Sequence, residues 1–309
     1  AKRLCQLSGM NNVFFCNSGA EAVEASVKIA RKFGNDRLFS SPKIIVMENS
    51  FHGRTMAALS ATGSKKSHSG FTPLVEGFLR VPFNDVEAVK KIIDENNEIA
   101  AILLEPVQGE GGIIVPDKHY LYHLREITQQ HNILLMIDEV QSGICRTGKW
   151  FAHQHDNIIP DVITIAKALG NGIPIGACLA SNKASEILIP GSHGSTFGGN
   201  FLSCKVALKV LDLMRDEQIC INAREMGLHF DKELKTRLAN KKSISEIRCK
   251  GLMIGIELKN DCTELANEFL DNGLVVNITK GNVIRLLPPL IIKKQQVNDI
   301  ISILEKVIE

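Results

Sequence analysis

Short apolar runs recur along the chain, separated by stretches with helical periodicity. Seven of them have the length and β-branched content of strands: residues 12–17 (NVFFCN), 43–49 (KIIVMEN), 77–83 (GFLRVPF), 99–107 (IAAILLEPV), 133–140 (ILLMIDEV), 161–167 (DVITIAK) and 175–181 (IGACLAS). The first leads into residues 20–33, where Ala22, Val23, Val27 and Ile29 or Ala30 fall on one side, as in an amphipathic helix. Further helices are predicted at 85–96, 117–131 and 182–188. Continuous apolar strands spaced by helices predict an α/β fold with a mostly parallel sheet covered on both faces.

From Phe201 the texture changes. A long helical region covers roughly 201–240, and strands at 251–258 and 274–278 then alternate with helices at 263–272 and 294–308. Two packed units are expected, 1–205 and a smaller α/β unit at 206–309, with no low-complexity linker between them. The start, AKRLCQLSGMNNVFF, reads as the last turns of a helix, a glycine stop and a strand, so a preceding segment is expected to be missing.

Composition narrows the function classes. The 309 residues are 44% apolar and 23% charged, with a net charge of +2 and no basic stripe interleaved with aromatics, which gives no case for nucleic acid. No run reaches the length of a membrane span and no signal peptide is visible, so a soluble cytoplasmic protein is expected. The eight cysteines, at 5, 16, 145, 178, 204, 220, 249 and 262, form no CxxC pair. Free thiols in a reducing compartment are expected, in place of a disulfide frame or a zinc site.

In an open α/β sheet, ligands sit beyond the C-terminal ends of the strands, and polar residues collect there. Lys167 ends the apolar run Val162–Ala166 and is followed by glycines at 170, 172 and 176. Such a lysine either snorkels to water or stands in a dry site that favours the neutral, nucleophilic amine. In NSGAEA, the helix start at Gly19 leaves N–H groups that could hold a phosphate, or Ser18 and Glu21 could form a capping box that only stabilises the helix. In ENSFHGRT, Phe51 could lie on an aromatic ring and Arg54 grip a carboxylate, or the pair could be a core aromatic and a surface arginine.

Asp138 ends a very apolar strand and needs a partner: a protonated heteroaromatic nitrogen, a salt bridge or a cap. A metal is the weaker choice, since no histidine cluster stands nearby. EPVQGEGG carries Glu105 and Glu110 on a glycine-rich loop, a gate or a plain turn. Ser195 and Thr196 lie on the flexible HGSTFGGN loop, where their hydroxyls could bind phosphate. Arg285, inside the apolar run VIRLLPPL, calls for an anion from the protein or from a substrate. A phosphate cradle, a stacking ring, a carboxylate for a ring nitrogen, an amine and carboxylate-gripping arginines together make the parts list of a pyridoxal phosphate site.

The ordered set NSGAEAVEASVKIAR, SFHGRT, EPVQGEGG, IDEVQSGICRTGKW, ITIAKALGNGIPIGA, HGSTFGGN and VIRLLPPL resembles the class III aminotransferases of the ornithine/acetylornithine type, over almost the whole chain. The resemblance implies the fold-type I pyridoxal phosphate architecture: a large domain with a seven-stranded sheet, a small C-terminal domain, and a homodimer with active sites at its interface. By resemblance Lys167 is the lysine that bonds to the cofactor aldehyde and later acts as general base. Asp138 is the partner of the pyridine nitrogen, within a cofactor-binding run that continues through Glu139, Val140 and Gln141. Ser18, Gly19 and Ala20 match the phosphate-binding turn, Phe51 the stacked ring, and Thr196 a phosphate ligand donated from the other subunit.

Ser195 is expected beside Thr196 in the substrate region. Arg54 and Arg285 look like carboxylate-binding residues, and Glu110 like the acid that neutralises Arg285 when a distal amine is presented. The stretches NSGAEAVEASVKIARK, FHGRTMAALSATG and IPIGACLA resemble the bacterial arginine-biosynthetic branch. That implies N2-acetylornithine (or succinyl-diaminopimelate) as amino donor and 2-oxoglutarate as acceptor. Ornithine or 4-aminobutyrate is the alternative donor. A non-catalytic relic is the other alternative, because the family carries several dozen residues ahead of the helix that opens this chain.

Overall fold

The computed structural model describes residues 1–308. A short helix α1 (Lys2–Ser8) closes on Gly9, whose φ of 76° lies in the left-handed region, and β1 (Asn12–Cys16) follows, as the sequence predicts. Next come α2 (Gly19–Asp36), β2 (Lys43–Met47), the short α3 (Met56–Ala61) and α4 (Lys65–His68), then β3 (Phe78–Val81), α5 (Val86–Asp94), β4 (Ile99–Leu104), α6 (Tyr120–Gln130), β5 (Leu134–Asp138), β6 (Val162–Ile165) and β7 (Gly176–Ala180). The helix expected at 182–188 is only a 3-10 turn, Asn182–Ala184.

These strands form one seven-stranded sheet in the order β1-β7-β6-β5-β4-β2-β3. Only β7 runs against its neighbours, so the sheet is mostly parallel. Alternate residues serve opposite faces. Ile44, Val46, Leu103 and Met136 pack with Ala22, Val27 and Ile29 of α2, whereas Ile45, Ile102, Leu104 and Ile137 pack with Val89 of α5 and Leu124 of α6. Two covered faces explain why these strands read as unbroken apolar runs.

The chain continues through α7 (Phe201–Asp216) and α8 (Ile219–Arg237), β8 (Ile244–Lys250), β9 (Met253–Leu258), α9 (Leu265–Asp271), β10 (Asn277–Thr279), β11 (Val283–Leu286) and α10 (Lys294–Val307). Strands β10-β11-β9-β8 make a second, antiparallel sheet. Its core joins Ile254, Ile256 and Ile284 to Phe230 and Leu234 of α8 and Ile301 and Leu304 of α10. The position expected for the seam, 205/206, falls inside α7, whose Ala207 and Leu211 sit in the core of the first sheet. The helical region divides at Gln218, a left-handed residue with φ 54°.

One expectation is overturned here. Cys145, in the loop after β5, and Cys220, in α8, are joined by a disulfide across a separation of 75 residues, while Cys5, Cys16, Cys178, Cys204, Cys249 and Cys262 are free. Spacing alone gave no hint of it, because the two halves meet only when α8 packs against the loop. Among the described residues no helix is long and apolar enough to cross a membrane.

Candidate active site

The C-terminal ends of β1, β2, β4, β5 and β6 surround a cavity of about 500 Å³. Asn17, Ser18, Gly19, Ala20, Phe51, Arg54, Glu105, Asp138, Val140, Gln141 and Lys167 line it. One wall is the start of α2. Ser18 caps that helix: its Oγ accepts from the Glu21 N–H at 3.2 Å, and the Glu21 carboxylate accepts from the Asn17 N–H at 2.8 Å. Ser18 therefore caps the helix, but the reciprocal half of a capping box is displaced by one residue, to the Asn17 N–H. The cap sets the first N–H groups, at Gly19 and Ala20, toward the cavity wall, where the positive end of the helix favours an anion. A Cβ on Gly19 would stand 2.8 Å from Val140 Cγ1, so only glycine lets the turn come this close.

Asp138 is buried and forms the floor. Its Oδ1 accepts from the Val140 N–H and the Thr164 hydroxyl, both at 3.0 Å, and its Oδ2 accepts from His52 Nδ1 at 2.8 Å. His52 Nε2 and Gln141 Oε1 are buried without a hydrogen-bond partner. Phe51 lies on the rim with the Arg54 guanidinium 5.5 Å from its ring centre, and Arg54 itself is exposed. Lys167 stands at the mouth with φ 37°. It is exposed, which agrees with the first of the two readings of this lysine, a head that reaches water: the strand beneath is buried, and the lysine lies two residues past its end.

Not every expected residue reaches the cavity. Glu139 points the other way, because successive residues at the end of a strand face opposite sides. Its carboxylate is taken up by the Ser142 hydroxyl and by the backbone N–H groups of Ala152 and His153, and it pairs with His153 Nδ1 at 2.9 Å. Ser195 does not line the cavity either. Its Oγ accepts from Asn17 Nδ2 at 3.1 Å and donates to Glu21, bracing the capped turn. Thr196 is exposed and lies outside the lining of its own chain's cavity.

Arg285 and Glu110 come together in an ion pair of 2.7 Å, with Asn277 Oδ1 accepting from the second guanidinium nitrogen at 2.8 Å, although neither side chain is part of the cavity lining. Two residues escaped the sequence reading as site groups, His52 and Thr164, and Glu105 was read there only as a loop acid beside Glu110. The register shows Thr164 and Glu105 in retrospect. Thr164 is opposite Asp138, and Glu105 stands one step past the Leu104–Ile137 pair.

Whether pyridoxal phosphate suits these residues can be judged from the donor set. A helix start without side-chain bulk suits the phosphate, a buried carboxylate beside an unpartnered carboxamide suits the ring's two polar edges, and an amine at the mouth suits the aldehyde. The residues fit. Fold and site together define an α/β enzyme that works on amines through an aldehyde cofactor.

The family described as Aminotransferase class-III matches residues 1–308, and the chain belongs to it; it is a pyridoxal phosphate-dependent transaminase. The chain is 51% identical to the acetylornithine aminotransferase of Nitrosomonas europaea over 302 residues, 98% of this chain and 77% of that protein. Among solved structures it is similar to the ornithine aminotransferase of Toxoplasma gondii, with a TM-score of 0.95 and 35% identity over 99% of this chain and 75% of that one. It is also similar to the acetylornithine aminotransferase of Elizabethkingia anophelis, with a TM-score of 0.87 and 37% identity over 99% of this chain and 76% of that one.

Proposed function

We propose that this aminotransferase moves the ω-amino group of N2-acetylornithine to 2-oxoglutarate, with pyridoxal phosphate held in the cavity over Asp138. One observation carries the placement: an amine (Lys167), a buried acid (Asp138), a capped helix start (Gly19, Ala20) and an aromatic rim (Phe51) converge on a single cavity. When bound, the cofactor supplies an electron sink for the carbon that carries the reacting amine. The chain's own residues bind, orient and move protons. Gly19 and Ala20 N–H groups would hold the phosphate, Phe51 and Val140 would enclose the ring, and Asp138 would keep a proton on the ring nitrogen. The Lys167 amine removes a proton from the amine-bearing carbon and returns one in the reverse half-reaction.

The Arg285–Glu110 pair supports an ω-amine donor. With Glu110 on the guanidinium, Arg285 does not draw in an α-carboxylate that would turn the substrate round; for 2-oxoglutarate Glu110 swings off and Arg285 takes the carboxylate. The names of the relatives favour acetylornithine, and ornithine is the second reading because the Toxoplasma gondii neighbour is an ornithine aminotransferase. The proposal includes a homodimer. Phe197, Phe201 and Leu202 are 73%, 96% and 70% exposed, an apolar patch that a second copy would cover while presenting its Thr196 to the phosphate. Rates with acetylornithine, ornithine and 4-aminobutyrate, each paired with 2-oxoglutarate, test the donor; equal rates with all three overturn the choice.

A further inference from the structure

The molecule places a second carboxyl behind the first. Glu105 is buried on the same side of the sheet as Asp138, at the end of the adjacent parallel strand. Its Oε2 accepts from the Phe51 N–H at 2.9 Å and its Oε1 from the Gly109 N–H at 3.1 Å. One side chain thereby joins the loop that carries the aromatic rim to the loop that carries Glu110. His52, the partner of Asp138, lies in the same wall with its Nε2 unpartnered.

We infer that Glu105 is a positioning residue for the cofactor's ring nitrogen: its charge, acting through the buried Asp138–His52 pair, sets how firmly that nitrogen holds a proton. The inference rests on the proposed placement of pyridoxal phosphate over Asp138. Its physical basis is the placement of three buried titratable groups in one wall, with Glu105 level with Asp138, one step past the Leu104–Ile137 pair. An ionised Glu105 adds a second negative charge in the wall that holds Asp138, and in a poorly solvated wall that charge favours a proton on any nearby base, the ring nitrogen over Asp138 among them. A neutral Glu105 withdraws that support.

The carboxyl can change state in the physiological range. Burial pushes Glu105 up to about 7, with Asp138 adding to the rise, while His52 and the two backbone donors oppose it. The other charged groups around the cavity are Arg54 and Lys167, both exposed; Glu110, five residues along, is turned to Arg285. Nothing in the hydrogen bonding makes Glu105 necessary for the cap at α2 or for the disulfide, so its removal reads out on the site itself.

The test uses the holoenzyme loaded with pyridoxal phosphate labelled with nitrogen-15 in the ring. The ring resonance is followed from pH 6 to 9 in the wild type, Glu105→Gln and Glu105→Asp, together with kcat/KM. The expected result is an inflection near pH 7 in the wild type and in Glu105→Asp that is absent from Glu105→Gln. In that variant the nitrogen should lose its proton about one pH unit lower, a tenfold change in its protonation equilibrium. An inflection that persists in Glu105→Gln, with only a lower melting temperature and kcat, would mean a purely structural carboxyl and overturn the inference.

If Glu105→Gln does not fold, glutamate labelled with carbon-13 at its carboxyl in the wild-type enzyme decides: a buried carboxyl titrating near 7 supports the inference, and none overturns it. The visible absorption band of the loaded wild type separates the two levels. No band removes the cofactor placement and the inference with it; a band without the Glu105-dependent inflection removes the inference alone.

Discussion

At the scale of single residues, the site rests on an amine at its mouth and an acid in its floor, and the two are held very differently. Asp138 has three hydrogen-bond partners, whereas Lys167 is exposed and free to reach. Lys167→Ala should abolish the visible band of the loaded enzyme and cut turnover by about 10³-fold, the size of a lost general base, with the melting temperature unchanged. A variant that keeps band and rate would sink the assignment. Glu110→Gln leaves the Arg285 charge unneutralised, so the preference for ω- over α-amines should fall by roughly 10-fold, in line with one lost charge-assisted hydrogen bond. Competition between ornithine's two amines, read from the two products, checks it.

The sequence made Lys167, Asp138 and the Arg285–Glu110 relation legible through motifs and through the need of a buried charge for a partner. It misassigned Glu139, because a run of neighbouring letters hides the alternation that sends one side chain into the cavity and the next away. His52 and Thr164 were missed since their role is defined by a contact with Asp138, 86 and 26 residues away.

At the scale of elements, the buried strands were readable because both faces are covered, which leaves an apolar run. Strand β8 (ISEIRCK) was not: it is an edge strand of the second sheet with a half-exposed pattern, so polar letters break the run. The change of texture after Phe201 suggested two units, with a boundary at 205/206; α7 looks like α8 in sequence and differs in what it packs on. We propose that the seam lies at Gln218, between α7 on the first core and α8 on the second.

The Cys145–Cys220 bond crosses that seam. Closing a loop of 75 residues is worth about 4 kcal/mol on the chain-entropy view. Cys220→Ser should therefore lower the melting temperature by several degrees, and unfolding the wild type in strong reductant should give the same lowered value, with no further effect of reductant on the variant. Equal melting temperatures under all four conditions would exclude a stabilising bond.

At the scale of the molecule, a buried group and a half-buried one pull stability in opposite directions with pH. Glu105 is held up at about 7 by burial, against an ordinary value of 4.5, so the folded chain binds the extra proton between those limits. Its contribution is complete below pH 4.5 and is lost as pH rises through 7, a change of about 3 kcal/mol. His155 is held down to about 4, by burial first and then by Lys250 and Lys149, against an ordinary 6.5. The folded chain therefore binds fewer protons there, and this contribution is present above pH 6.5 and lost as pH falls toward 4.

The two slopes oppose each other over the interval they share, so each masks the other in the wild type. Removing one should expose its partner. Glu105→Gln should give a melting temperature that climbs with pH from 4.5 to 6.5, and His155→Gln one that falls more steeply than the wild type from 4.5 to 7. Three parallel curves would show that neither group changes its proton count on folding. That outcome would also remove the physical ground for giving Glu105 a charge that the site can use near neutrality.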